Sequence, residues 1–301
     1  MWDDVGAYSV NKLESEISRL DTWSDSKLST ILLDSFPSPL PDLRILDAGC
    51  GLGHMFLAFT SFIPSYIHSI DYLGLDLIDL KNAKEYLSKS FSHLYGSISF
   101  QSDFVKADMR SFCDSHQNQF DVVLALGTIH NTPNIYDYLC STFSSTATNG
   151  IYLCWITKEQ PPLRQLTDRF FREHFQGLDS SLDVNNQLRT LSYLFGQLSN
   201  SLASQSILLD QDIPSLGIPA GSYKLQQLIY DYVFKCYYNN SETPDRNINQ
   251  LFDWFMPSYY HETSTAQLDS YLESLSSLYS LRVLDCVSKG NGHFFVLRRL
   301  G

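Results

Sequence analysis

A chain of 301 residues with 44% apolar residues is long enough to bury one large core, or a core carrying a sizeable insertion. Its net charge of −12, with only 21 Lys and Arg scattered along it, argues against nucleic acid as a partner, because phosphate backbones are held by clustered cations. No stretch approaches the roughly 20 apolar residues of a membrane span, and Met1-Trp2-Asp3-Asp4 offers neither a basic start nor an apolar run. Six cysteines, at 50, 113, 140, 154, 236 and 286, form no Cys-x-x-Cys pair and fall mostly in apparent core segments, so a reduced, cytoplasmic protein is expected.

Residues from about Tyr8 to Phe36 read as N-terminal helices. The first strand, Arg44-Ile45-Leu46-Asp47, ends in an acid and runs into glycines at alternate positions, Gly49, Gly51 and Gly53, around Cys50. Glycines there let the backbone turn sharply and approach a ligand closely, and a helix starting at His54 aims its N-terminal amides at the same place. Phosphate is a poor match. Asp47 at the strand's carboxyl end repels a pyrophosphate, and His54 stands where the dinucleotide fingerprint has its third glycine. There is also no Gly-Lys-Ser/Thr of a P-loop. A ligand with a nucleoside, a cationic amine and no phosphate fits better, and S-adenosylmethionine (SAM) has those parts. The run Asp47-Ala48-Gly49-Cys50-Gly51-Leu52-Gly53 resembles the first motif of the class I SAM-dependent methyltransferases, Asp-x-Gly-x-Gly-x-Gly.

The segments that follow keep suitable intervals. Ile70 to Asp76 reads as a second strand ending in an acid, Leu80 to Phe91 as a crossover helix, and Ile98 to Val105 as a third strand leading to Lys106-Ala107-Asp108-Met109. The fourth strand, Phe120 to Leu126, runs into Gly127-Thr128-Ile129-His130-Asn131-Thr132-Pro133, and Gly150 to Ile156 gives a fifth. The resemblance implies that Asp76, with Leu77 beside it, accepts both ribose hydroxyls, that Asp108 accepts from the adenine amino group, and that Met109 lends its backbone. It implies too that Leu126 and Gly127 open the loop over the methionine end, where Asn131 faces the acceptor. Taken singly, Asp76 is an ordinary strand-end acid, Asp108 is placed to cap a helix starting near Arg110, and Cys50 suits a small packed site in the turn.

Two last strands, Leu281 to Val287 and His293 to Leu297, form a hairpin about Gly290-Asn291-Gly292, preceded by a helix from Thr265 to Leu278 that Thr263 or Ser264 caps. This leaves about a hundred residues, Lys158 to Thr263, between the fifth strand and that helix, far more than a loop needs. Their pattern is helical: Leu163, Leu166, Phe170 and Phe171 recur at three- and four-residue steps, as do Leu188, Leu191, Leu194, Phe195 and Leu198, and Leu225, Leu228, Ile229, Tyr232 and Val233. Pro214, Gly217, Pro219 and Gly221 interrupt the pattern. The aromatic run Phe252 to Thr263 resembles the segment before the last helix in some small-molecule methyltransferases. It offers Trp254, Tyr259 and Tyr260 as acceptor contacts, and His261 either as an acceptor contact or as a surface or supporting residue.

The expected fold is therefore α/β: a seven-stranded, doubly wound Rossmann-like sheet with a largely helical cap inserted after the fifth strand, and N-terminal helices. The expected divisions are 1–40 (helical lid), 41–157 (SAM-binding core), 158–263 (cap for the acceptor) and 264–301 (last helix and closing hairpin). The expected activity is methyl transfer from SAM, giving S-adenosylhomocysteine, to an O or N atom of a small metabolite, natural product or short peptide by in-line displacement. A protein or RNA methyltransferase, or a SAM-binding regulatory subunit without turnover, is the alternative. His130 is the best placed base for an acceptor that carries a proton; for an acceptor that is already nucleophilic it is a polar orienter. No metal is expected, since Leu124-Ala125-Leu126 stands where the metal-dependent catechol type has acids. No nucleic-acid or membrane partner is expected, and the chain is read as a monomer or homodimer.

Overall fold

A computed structural model of the chain describes residues 10–36, 42–78, 80, 82–178, 181–236 and 244–301. The expected helix start at Tyr8 and the expected boundary at residues 40 and 41 lie outside them. The chain divides into two compact units, Met1–Lys158 with His261–Gly301, and Glu159–Tyr260.

The first unit opens with α1 (Val10–Trp23) and α2 (Leu28–Ser35), followed by β1 (Leu43–Ala48), α3 (His54–Thr60), β2 (Ser69–Asp76), α4 (Ala83–Tyr95), β3 (Ser99–Lys106), α5 (Met109–Ser115), β4 (Phe120–Leu126), a 3₁₀ turn at Ile129–Asn131, α6 (Ile135–Ser144) and β5 (Thr146–Thr157). The second unit holds α7 (Pro162–Gln176), α8 (Ser181–Leu202), β6 (Ser206–Leu209), β7 (Gly221–Lys224), α9 (Leu225–Tyr232) and α10 (Pro244–Phe255). The chain then returns to the first unit with α11 (Thr265–Leu278), β8 (Leu281–Lys289) and β9 (Gly292–Arg299). Departure and return lie side by side, Lys158 bridging Thr263 in parallel.

Seven strands form one sheet in the order β3-β2-β1-β4-β5-β9-β8. The first five run parallel, and β9 and β8 close the edge antiparallel. This is the expected doubly wound, Rossmann-like methyltransferase sheet. A central parallel strand is covered on both faces, and β1 obeys: Leu43, Ile45, Leu46 and Ala48 are fully buried. One apolar core gathers Leu20, Leu32, Phe56 and Phe91 from α1 to α4 against one face, and a second gathers Cys113, Leu139, Phe143 and Leu268 from α5, α6 and α11 against the other. Ser264 caps α11 in a capping box with Gln267, which settles the choice between Thr263 and Ser264. The strand β5 starts at Thr146, ahead of the expected Gly150, across a register irregularity opposite Phe120 and Val122.

The second unit departs from its sequence pattern in two ways. The stretch interrupted by Pro214 and Gly217 contains a small antiparallel pair, β6 with β7, where only helices and a break were expected. On α7 the apolar stripe is not the buried one: Leu166 and Phe170 are 57% and 63% exposed, while Arg164 and Asp168 are almost fully buried. Leu166 and Phe170, with Phe171, Leu194, Phe195 and Phe234, line an apolar groove of about 590 Å³. The unit's own core is built from Phe175, Leu188, Phe195, Leu251, Trp254 and Phe255.

Candidate functional site

In an open parallel sheet, ligands sit beyond the carboxyl ends of the strands at the point where strand order reverses. Here that point lies between β1 and β4, and register pairing puts Asp47 beside both Gly74 and Leu124. The loop leaving β1 is tied to β2: the Gly49 and Cys50 amides donate to Leu75 O at 2.7 and 3.1 Å, and the Gly51 amide donates to Asp76 Oδ2 at 2.9 Å. Gly49, Gly51 and Gly53 all have positive φ (79°, 51° and 78°). A Cβ on Gly49 would meet Thr128 Cγ2 at 2.2 Å, whereas one on Gly51 meets nothing within 4 Å. Gly49 is thus a packing glycine, and Gly51 faces open space.

Asp47 is buried and accepts a hydrogen bond from Tyr72 Oη at 3.1 Å. Burial, partly offset by the Tyr72 hydroxyl and reinforced by the Asp76 charge, pushes its carboxyl up to about 7. A cation beside it would favour the charged form. Asp76 uses Oδ2 on Gly51 and Oδ1 on the Ile78 amide at 3.2 Å, which fixes the carboxylate at the strand end with lone pairs to spare. Beside it Leu77 and Ile78 expose apolar surface, Leu77 to 65%. Asp108 caps α5 through Ser111 N at 3.0 Å and accepts from Tyr138 Oη at 2.7 Å. Burial works to raise its carboxyl, but the Tyr138 hydroxyl and the Ser111 groups outweigh that and hold it below the usual value. Met109 is the first residue of α5, beside it. Cys50 is buried, its Sγ donates to Gly51 O at 3.4 Å, and burial pushes the thiol up, so it packs the turn as an inert side chain.

The loop after β4 forms a polar and aromatic patch. Leu126 is buried, and Gly127 (φ 85°) donates its amide to Trp155 O at 3.0 Å. His130 is buried with its ring edge-on to Trp155 at 5.5 Å, and Trp155 stacks on Trp23 at 5.1 Å. His261 holds this loop from the other side: its amide donates to His130 O and its Nε2 to Thr132 O, both at 2.9 Å. Asn131 Oδ1, Trp155 Nε1, Thr157 Oγ1 and Thr263 Oγ1 are buried with no hydrogen-bond partner among the described residues.

The acceptor candidates of the aromatic run divide differently. Trp254 lies on α10, not in a loop, and Trp254 Nε1 donates to Asp168 Oδ2 at 3.0 Å. Tyr260 packs its ring under the Arg172 guanidinium at 3.4 Å, and Tyr259 is half exposed. These contacts belong to the second unit; His130, Asn131 and His261 belong to the first. Sequence reasoning missed Tyr72, Thr128 and Gly74. A Cβ on Gly74 would meet the Phe104 ring at 2.7 Å and Cys50 Sγ at 2.9 Å, so this strand glycine makes room for the loop of the neighbouring strand. A glycine inside the apolar run Leu73-Gly74-Leu75 was the available signal. Among the described residues no His, Cys, Asp and Glu side chains gather into a metal-binding group, and no helix is long and apolar enough to cross a membrane.

These residues fit SAM. The buried Asp47 carboxylate, the open face at Gly51, the fixed Asp76 carboxylate and the exposed Leu77 and Ile78 offer, in order, a partner for a cation, room for close approach, acceptors for hydroxyls and an apolar surface for a base.

Residues 46–154 match the methyltransferase domain family. A search of curated proteins finds no match. Among solved structures the chain is similar to the 1,6-didemethyltoxoflavin-N1-methyltransferase of Burkholderia thailandensis with bound 1,6-didemethyltoxoflavin and S-adenosylhomocysteine, at 11% identity and TM-score 0.41, over 99% of this chain and 93% of that one. It is similar to an S-adenosylmethionine-dependent methyltransferase of Mesorhizobium loti at 13% identity and TM-score 0.42, over 93% of this chain and 100% of that one. A third is PKMT2 of Rickettsia typhi in complex with AdoHcy, at 14% identity and TM-score 0.48, over 91% of this chain and 52% of that one. Sheet order, glycine loop and strand-end acids are those of a Rossmann-like methyltransferase fold, and residues 46–154 of the chain match a methyltransferase domain.

Proposed function

We propose that the chain transfers the SAM methyl group to an O or N atom of a small metabolite, natural product or short peptide by in-line displacement. SAM, when bound, supplies an electrophilic methyl on a sulfonium. The residues of the chain have the remaining work of orienting the acceptor, excluding water and accepting a proton where the acceptor carries one. The observation that carries the proposal is the set of buried polar atoms on Asn131, Trp155, Thr157 and Thr263 that have no hydrogen-bond partner among the described residues. Buried polar groups are almost always hydrogen-bonded, so such a set at the strand ends suits the polar atoms of an enclosed acceptor, with the Trp23 and Trp155 rings suiting its apolar or ring-bearing body. His261 is assigned the holding of the His130 loop. The insertion from 159 to 260 is assigned acceptor recognition, because it enters the chain between β5 and α11. Six free thiols suit a cytoplasmic enzyme.

The test is transfer of labelled methyl from SAM to a panel of phenols, carboxylic acids, amines and short peptides, with protein and RNA run in parallel and products identified by mass. Label on a small molecule or peptide supports the proposal. Label only on protein or RNA, or none anywhere despite SAM binding, refutes it.

A further inference from the structure

The hydroxyl of Tyr72 lies against the glycine loop. Tyr72 is fully buried on β2, with its ring centre 4.2 Å from that of Phe56 and 5.7 Å from that of Phe104. A buried phenol needs a partner for its hydroxyl, and this one reaches toward both ends of the loop. Its Oη donates to Asp47 Oδ2 at 3.1 Å, and a Cβ on Gly53 would come within 3.3 Å of the same oxygen. Two residues further along β2, Gly74 leaves room for Cys50 Sγ, which a Cβ there would meet at 2.9 Å. Alternate residues of β2 thus shape the loop that leaves β1.

The bond has a chemical consequence for Asp47. A phenol O–H donating to a buried carboxylate favours its charged form, against the burial that favours the neutral one. Burial keeps Tyr72 protonated, so it stays a donor. The other groups facing Asp47 give no such support. Burial keeps Cys50 a thiol, the charge of Asp76 opposes a second charge on Asp47, and the register neighbours Gly74 and Leu124 carry none. We propose that Tyr72 is a positioning residue of the cofactor site, its hydroxyl holding Asp47 as a charged acceptor for the cationic amine of the ligand. The proposal rests on SAM as the ligand of this site, and it gives residue 72 control over the pH range in which the cofactor binds.

The test is titration calorimetry of the full chain and of Tyr72→Phe with S-adenosylhomocysteine, which carries the same amine, from about pH 6.5 to about pH 8.5. Tyr72→Phe keeps the buried ring and removes only the hydroxyl, and circular dichroism verifies its folding. The variant should bind about tenfold more weakly than the unaltered chain near pH 6.5 and within about threefold of it near pH 8.5, because rising pH restores the charge that the lost bond had favoured. The ligand's amine titrates alike for both chains, so their ratio at each pH reads Asp47. In an Asp47→Asn background, adding Tyr72→Phe should leave a ratio that does not change with pH. Without ligand, the loss of thermal stability with rising pH should move to higher pH in Tyr72→Phe, since its folded state keeps the Asp47 proton longer. A ratio that is constant across pH in the Asp47 chain, affinity unchanged by Tyr72→Phe, or an unmoved stability profile overturns the proposal. Failure of the unaltered chain to bind at any pH overturns the reading of a SAM site, and the proposal with it.

Discussion

The two units treat buried charge in opposite ways. In the first, Asp47 is a single buried carboxylate at a strand end, shifted toward neutrality by burial and steadied by Tyr72. In the second, three cations crowd one helix face and its aromatic neighbours around Asp168. The contrast separates two ways of placing buried charge. Strand-end acids are placed by the pleat and the turn that follows, so their chemistry is written locally. The cationic cluster exists only because α7, the segment after α9, and α10 converge.

Asp168→Ala should have the largest effect, destabilising the chain by about 3–5 kcal/mol because it leaves the Arg164 guanidinium buried and uncompensated; chemical denaturation measures it, and a change below about 1 kcal/mol would show that water already neutralises the cluster. For His130→Ala, a role as base predicts about a hundredfold loss of turnover with SAM affinity nearly intact. A small loss would assign His130 to orientation and point to an acceptor that is already nucleophilic.

Asp47 couples the first unit to pH. With a pKa of about 7 in the fold against the ordinary 3.8, the folded chain keeps a proton between those values that the unfolded chain has lost. The stability linked to this group is complete below pH 3.8 and is lost as pH rises through about 7. Asp47→Asn should flatten thermal stability across that window, and an unaltered pH profile would contradict the shift. SAM, being cationic, should bind more tightly to the charged form and so release a proton on binding below pH 7, readable as a dependence of the binding heat on buffer ionisation enthalpy. The smallest effect is expected at Ser264→Ala, about 1 kcal/mol from loss of the α11 capping box; no drop in melting temperature would show that packing of Leu268 and Leu275 fixes this helix alone.

Much of the first unit was legible because its signals are local. Apolar runs closed by Asp47 and Asp76, the glycines at 49, 51 and 53, and the Ser264 cap each mark their element within a few residues. Tyr72 and Thr128 were not legible, since their partners Asp47 and Ala48 lie on another strand and only the register brings them together. In the second unit α7 was readable as a helix but not in its orientation. Leu166 and Phe170 make the obvious apolar stripe, yet Arg164 and Asp168 are the buried residues, because Trp254 Nε1, far along the chain, supplies a hydrogen bond there. The pair of strands β6 and β7 was hidden for a related reason: at four residues each and largely exposed, they bear no apolar alternation.

The strand-end acids and glycine loop should bind SAM and not a dinucleotide. Titration calorimetry of the purified chain with SAM, and in parallel with NAD, tests it most directly. Micromolar SAM binding is expected, with no NAD binding and a loss of about 1.5–3 kcal/mol in SAM affinity for Asp76→Ala, which removes a charged acceptor for the ribose hydroxyls. NAD binding, or SAM affinity untouched by Asp76→Ala, would contradict it.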